Sequence, residues 1–197
     1  DRDGLGENWP IDYDEVAPWY ARTEKLIGVS GTNPDLEDTP ASADGVLQPP
    51  PKPRVYELLL KAVTDKMGIP AVPMRRAVIT QDLDDRKACF YATGCGRGCS
   101  IGAAFQTTTS LLPWAQKTGN MKLVTDAMVK EVHVNENGQA SGVTFVNRLT
   151  NEDIRVDADR VILAASACET ARLMLNSKSA LHANGLANSS GQVGRNL

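Results

Sequence analysis

The chain has 197 residues, of which 42% are hydrophobic and 23% charged, and its net charge is −3. That length and composition fit one or two globular domains with a real core, and exclude a disordered chain. The lack of a basic block argues against nucleic acid as the main partner, and no apolar run approaches the roughly 20 residues of a membrane span.

The first predicted element is a helix within residues 1–28. Asp14 is expected to cap it, with Glu15 in the first turn, where an acidic group complements the helix dipole. Pro18 falls near the start, where a missing N–H costs least. Val16, Trp19, Tyr20, Leu26 and Ile27 recur at helical spacing and predict a buried face, and Gly28 predicts the stop. Residues 29–53 carry Gly31-Thr-Asn-Pro34, Asp38-Thr-Pro40 and Pro49-Pro-Pro-Lys-Pro53, which predict an irregular, extended stretch. An ordered loop of that length packs over a surface or a site; the alternative is a linker. A second helix is predicted from about Arg54 to Met67, ending at Gly68, with Val55, Leu58, Leu59, Ala62, Val63 and Met67 as its buried face. Ala77-Val-Ile79 reads as a short strand.

Next come three of the chain's four cysteines, Cys89, Cys95 and Cys99, in a C-x5-C-x3-C arrangement interleaved with Gly94, Gly96, Gly98 and Gly102. Thiolates gathered on a glycine-rich loop suit a soft metal or an iron–sulfur cluster. Three of them are an incomplete tetrahedral zinc set, and spacing alone leaves simple packing and a Cys95–Cys99 disulfide open. Cys168 lies in an apolar run and is expected in the core.

Ser110 is expected to cap a short helix running through Trp114 and Lys117 to Gly119. The last third changes character. Met128–Val134 alternates as a strand, Asn137-Gly138 signals a turn, and Gly142–Val146 and Ile154–Ala158 predict two further strands. Val161-Ile-Leu-Ala-Ala165 has the pattern of a strand buried on both faces. It passes through Ser166-Ala167 into a helix from Glu169 to about Asn176. Small residues at this step let a ligand approach, and the helix start presents free N–H groups; plain strand–helix packing is the alternative. His133 is expected to be an exposed strand residue, and His182 lies in a polar loop. Asn188-Ser-Ser190 is a sequon in an expected loop.

Several stretches, in order, resemble the GMC (glucose–methanol–choline) family of flavin oxidoreductases. They are Gly6-Glu-Asn-Trp-Pro-Ile-Asp-Tyr13 with Ala17-Pro-Trp-Tyr20 and Gly28-Val-Ser-Gly31, then Cys95-Gly-Arg-Gly-Cys99-Ser-Ile-Gly-Ala103. Ser166–Ser177, Gly185–Gly191 and Val193-Gly-Arg-Asn-Leu197 complete the set. Ala171 departs from the family's usual Pro or Ser, Lys178 from its Gly, and Ser166 stands where a glycine usually lies beside the flavin.

The resemblance implies a mixed α/β fold: part of a Rossmann-like FAD-binding domain, over residues 106–197, and part of an antiparallel-sheet substrate domain, over residues 1–105. It implies FAD as cofactor, with Val129, Ala165, Ser166 and Ala167 at its site. It implies oxidation of a CH–OH group of an alcohol or sugar, in which a base takes the hydroxyl proton and hydride passes to the flavin. The family's G-x-G-x-x-G turn would precede Asp1 and its catalytic histidine would follow Leu197, so no catalytic residue is assigned within the chain. One branch of the family, the sugar and alcohol dehydrogenases that pass electrons to cytochromes, resembles this chain in its cysteine loop. That likeness implies Cys89, Cys95 and Cys99 as ligands of a [3Fe–4S] cluster, a cytochrome c-type acceptor, a small partner subunit and a bacterial periplasmic location; a cytoplasmic one stays open. The other readings are an oxygen-using oxidase of the same family and a non-catalytic electron-transfer module that carries a cluster.

Overall fold

The structure, a computed structural model, describes residues 9–37 and 39–195. The expected Gly6-Glu7-Asn8, Asp38 and Asn196-Leu197 portions of the sequence patterns lie outside the described residues. The described residues hold four α-helices and one three-stranded antiparallel sheet, the mixed α/β class expected. No helix among them is long and apolar enough to cross a membrane. By internal contacts the chain divides into two compact units, Asp1–Met121 and Lys122–Leu197.

In the first unit, α1 spans Tyr13–Ile27. Its cap is Asp12 rather than Asp14. The Asp12 side chain accepts from the Glu15 N–H at 3.3 Å, and the Glu15 carboxylate accepts from the Asp12 N–H at 3.1 Å. This reciprocal box satisfies two otherwise orphaned donors, which no cap at Asp14 would do. Gly28 ends the helix in the left-handed region at φ 78°. A side chain there would fall on Ile79 Cγ2 and stand 2.9 Å from Leu83 Cδ2, so glycine is needed for space as well as for conformation.

The irregular stretch after Gly28 is no linker. Ser30 is fully buried, bridges both Gln48 and Arg76, and donates through Oγ to the Val78 carbonyl at 2.7 Å. Gln48 Oε1 accepts from the Thr80 and Gln81 N–H groups at 2.7 and 2.9 Å. These bonds stitch two loops together where neither forms a ladder. Within Ala77–Ile79 Val78 accordingly makes one isolated bridge, to Ala104, rather than the expected strand. The core of this unit is Ile79, Cys99 and Ala103, flanked by Leu83, Cys89, Ile101 and Ala104.

Helix α2 spans Val55–Lys66, and α3 spans Leu111–Lys117. Ser110 occupies the cap position of α3 without bonding through its side chain; its backbone angles there (φ −125°, ψ −78°) are not those of a capping residue. The apolar faces expected to be buried are open instead. Trp19, Tyr20 and Leu26 on α1, Val55, Leu58, Leu59 and Val63 on α2, and Met67 at its C-terminal cap are all exposed. Periodicity identifies an apolar face, but burial needs a neighbour, and no other helix or strand among the described residues packs on either one.

In the second unit, β1 (Ala127–Val134), β2 (Ala140–Asn147) and β3 (Asp153–Asp157) form an up-and-down meander in the order β1-β2-β3. Met128 faces Val146, Val132 faces Val143, and Phe145 faces Ile154. The first turn closes over Asn135–Gln139, with Gly138 at φ 76° and the Asn135 side chain accepting from the Asn137 and Gln139 N–H groups. His133 is half-buried, not exposed, because its Nε2 stands 2.6 Å from Thr144 Oγ1 across the strand pair.

Helix α4 (Ala167–Asn176) packs on β1. Leu173 is its buried residue, and Ser177 fastens the helix end. The Ser177 hydroxyl accepts from the Val132 N–H at 2.8 Å and donates to the Leu173 carbonyl at 2.6 Å, both bonds buried. Replacing Ser177 with Ala strands the Val132 N–H, so S177A is expected to cost about 1–3 kcal/mol in urea denaturation.

Candidate functional site

The expected site lies where the Val161–Ala165 segment meets α4. Val161–Ala165 has no regular secondary structure and pairs with no strand among the described residues, and Ile162 is 90% exposed. The expectation of a strand buried on both faces is therefore not met here: such a strand needs a hydrogen-bonded neighbour on each side. Cys168, expected in the core, is exposed in the first turn of α4.

Between this segment and the helix stands Ser166, at φ 74° and ψ 168°. This conformation is one that glycine adopts freely and that costs a residue with a Cβ about 1–3 kcal/mol. The Ser166 carbonyl accepts the first helical bond, from the Thr170 N–H at 2.9 Å. Its side chain does not cap the helix, so the N–H groups of the first turn lack that partner.

Above this step is an open cleft of about 490 Å³, lined by Leu163, Ala164, Ser166, Ala167, Thr170 and Val193 among others. The lining is small or apolar apart from two hydroxyls. Val193 reaches the cleft through the glycine-rich run before it. Leu186 N–H donates to the Met174 carbonyl at 2.7 Å, and Asn188 then bonds the Val193 N–H through Oδ1 and the Asn184 carbonyl through Nδ2. Asn188 is buried with its amide engaged, so the sequon serves the loop.

Of the four expected cofactor contacts, Ser166 and Ala167 line the cleft. Ala165 is the exposed residue just before Ser166, and Val129 lies within β1, paired with Phe145, outside the lining. Val193, Leu163 and Met174 are lining residues that sequence reasoning did not single out. Val193 was visible only as part of a family-like run. Small side chains and uncapped amides at a helix start fit the close approach of a dinucleotide such as FAD.

The cysteine loop is arranged differently from its expectation. Cys95 opens a single 3₁₀ turn, Cys95–Arg97, and is exposed, its thiol directed at the Ala92 carbonyl 3.8 Å away. Cys99 is turned into the core, and its sulfur accepts from the Ala104 N–H at 3.4 Å. Burial opposes the Cys99 thiolate, but the N–H groups of Ala104, Ile101, Ala103 and Gly102 together outweigh it and hold the thiol below its ordinary range. Cys89 is half-buried, with its sulfur accepting from the Tyr91 N–H at 3.3 Å. All four cysteines are free thiols, and the described residues contain no group of three or more Cys, His, Asp or Glu side chains placed to hold a metal. The sulfurs point to different surroundings, so this arrangement does not fit the [3Fe–4S] ligand set of Cys89, Cys95 and Cys99.

The end of that loop is held by Arg86, which is 4% exposed. Its guanidinium donates to the carbonyls of Ile27 at 2.7 Å, Gly102 at 3.0 Å and Ala103 at 3.0 Å. No expectation pointed to this residue. Burial lowers its pKa, partly offset by Asp85, the Cys99 thiolate and Asp84.

The model of the GMC oxidoreductase family matches residues 7–197. The chain is 33% identical over 193 residues to a 2-methyl-1,2-propanediol dehydrogenase of Mycolicibacterium austroafricanum, covering 96% of this chain and 34% of that one. It is 28% identical over 195 residues to the fructose dehydrogenase large subunit of Gluconobacter japonicus, covering 98% and 35%. It is also 27% identical to a 6'''-hydroxyparomomycin C oxidase of Streptomyces lividus, covering 99% and 36%. The chain thus spans about a third of the length of the curated relatives it matches. It belongs to the GMC oxidoreductases, a family of FAD-dependent enzymes acting on alcohols and sugars.

Proposed function

We propose that this chain forms the middle of an FAD-dependent dehydrogenase that oxidises a CH–OH group of an alcohol or sugar, with electrons passing to an acceptor other than oxygen. The similarity to two dehydrogenases along nearly the whole chain carries the reading. The cleft at the start of α4 supports its location, with Ser166 and Ala167 at its wall, Ala165 beside it and Val129 in the adjacent strand β1. In this reading residues 106–197 contribute to the FAD-binding domain and residues 1–105 to the substrate domain.

When bound, FAD supplies the electron sink that accepts hydride from the alcohol carbon. This chain's part is to bind and place it. The uncapped amides of α4 offer donors to acceptor oxygens, the alanines leave room for close approach, and Leu163, Met174 and Val193 give the wall an apolar surface. The name of one relative, a large subunit, supports assembly with a small subunit. A cytochrome c-type acceptor and a bacterial periplasmic location are part of the same proposal, on the resemblance of the cysteine loop in sequence alone.

The second reading is an oxidase, favoured by two relatives with oxidase names at 27% and 28% identity. Turnover of the intact protein with an alcohol or sugar separates the two. The dehydrogenase reading expects dye-linked turnover without oxygen consumption. Stoichiometric peroxide in air, without need of a dye, would establish the oxidase.

A further inference from the structure

We infer that Asn188 is a positioning residue for the cleft beside α4: its buried amide pins the arm that brings Val193 to the cleft wall, and so presets that wall for the cofactor. The inference rests on the flavoprotein reading above and gives a role in it to a residue outside the cleft lining.

Residues 183–195 have no regular secondary structure, so individual contacts set their path. The first half of this run is fastened to α4. The Leu186 N–H donates to the Met174 carbonyl at 2.7 Å, and Gly185 lies so close that a Cβ there would stand 2.8 Å from Leu175 Cα. The second half, residues 189–195, contains no buried residue, so burial does not hold it. Among the described residues one side-chain hydrogen bond reaches it, from the Val193 N–H to Asn188 Oδ1 at 3.1 Å.

Asn188 joins the two halves. It is 8% exposed, its Nδ2 donates to the Asn184 carbonyl at 2.9 Å, and its backbone carbonyl accepts from the Gly191 N–H at 3.2 Å. A neutral amide carries the donor and the acceptor that this link needs in one rigid plane. Val193 is the residue of the second half that lines the cleft, so the bond to its N–H acts on the cleft and on no core. A wall fixed before binding spares the cofactor the cost of ordering it. Ordinary loop packing would alter stability alone, whereas positioning alters affinity.

The test uses the intact protein stripped of flavin, with FAD titrated back and followed by quenching of flavin fluorescence. Asn188→Ala removes both side-chain bonds. Thr144→Val, in β2 and outside the cleft lining, removes the contact with His133 and controls for lost stability. The expected result is a lower thermal midpoint in both flavin-free variants, with FAD affinity about tenfold weaker in N188A and native-like in T144V. Amide exchange of the native protein tests the preset wall without a substitution: the Val193 N–H should already be protected before FAD is added. Native-like affinity in N188A, an equal loss in T144V, or a Val193 N–H protected only once FAD is bound overturns the role of Asn188 and leaves the flavoprotein reading standing. A native protein that folds but takes up no FAD overturns that reading, and this inference with it.

Discussion

Replacing Arg86 with Met is expected to unfold the first unit under conditions where the native protein is stable. Arg86 is buried, and its guanidinium binds three backbone carbonyls, those of Ile27, Gly102 and Ala103. One carbonyl ends α1, and the other two lie at the end of the cysteine loop, so a single side chain ties residues 59 positions apart in sequence. Methionine fills much of the volume but removes all three donors; the Ala103 carbonyl keeps the Ile79 N–H at 3.0 Å, while those of Ile27 and Gly102 lose the guanidinium. Each acceptor left without a donor costs about 1–3 kcal/mol, and two of them put the loss at roughly 2–4 kcal/mol. Arg86→Lys keeps the charge but has one ammonium where three carbonyls need a fork, so it should recover only part of that loss. Guanidinium denaturation monitored by tryptophan fluorescence checks the ranking, since the first unit carries Trp9, Trp19 and Trp114. Stability of R86M within about 1 kcal/mol of native would show that the freed carbonyls find other donors.

Gly142→Ala should be comparably damaging in the second unit. Gly142 lies inside β2 at φ 152°, between His133 of β1 and Asp157 of β3. A Cβ there would fall on the Val156 carbonyl oxygen and stand 2.9 Å from Asp157 Cα. Both are backbone atoms of β3, which cannot swing aside as a side chain can. The methyl forces β3 away and breaks the nearest β2–β3 bonds, at a cost of about 3 kcal/mol from overpacking and strain. Amide exchange should show lost protection along β3 while the Val132–Ser177 contact on β1 stays protected. Unchanged protection of β3 would contradict this packing.

The elements that were legible in the sequence are those fixed by local pattern. The three strands and α4 lie within a residue or two of expectation, because alternation, turn glycines and helix starts are read over a few neighbours. The capping box of α1 was also present, as Asp12 followed three residues later by Glu15, and Asp14 competed with it only as a nearer acidic residue. What could not be read depends on partners distant in the chain. The stripes of α1 and α2 are genuine, but their exposure is decided by what packs against them. The same holds for Val161–Ala165, whose composition suits a central strand while its neighbours are absent from the described residues. Arg86 belongs to no motif, since its partners are carbonyls whose residue types are immaterial.

The candidate site was legible in place but not in detail. The β–small-residue–α step pointed to residues 164–170, and the cleft is there. The contribution of Val193 depends on the fold of the Gly185–Gly191 run around Asn188, which spacing does not convey. For the cysteines, spacing set three thiols close in sequence but did not fix the direction of any sulfur; Cys99 turns inward toward Ile79 and Ala103 while Cys95 faces solvent.

The most direct test of the account is anaerobic mixing of the intact, flavin-loaded protein with a panel of diols and sugars while the visible flavin absorption is followed. The account predicts bleaching of that absorption by at least one CH–OH substrate, and its return on adding an artificial electron acceptor. A protein that binds no flavin, or bound flavin that no alcohol or sugar reduces, would contradict it.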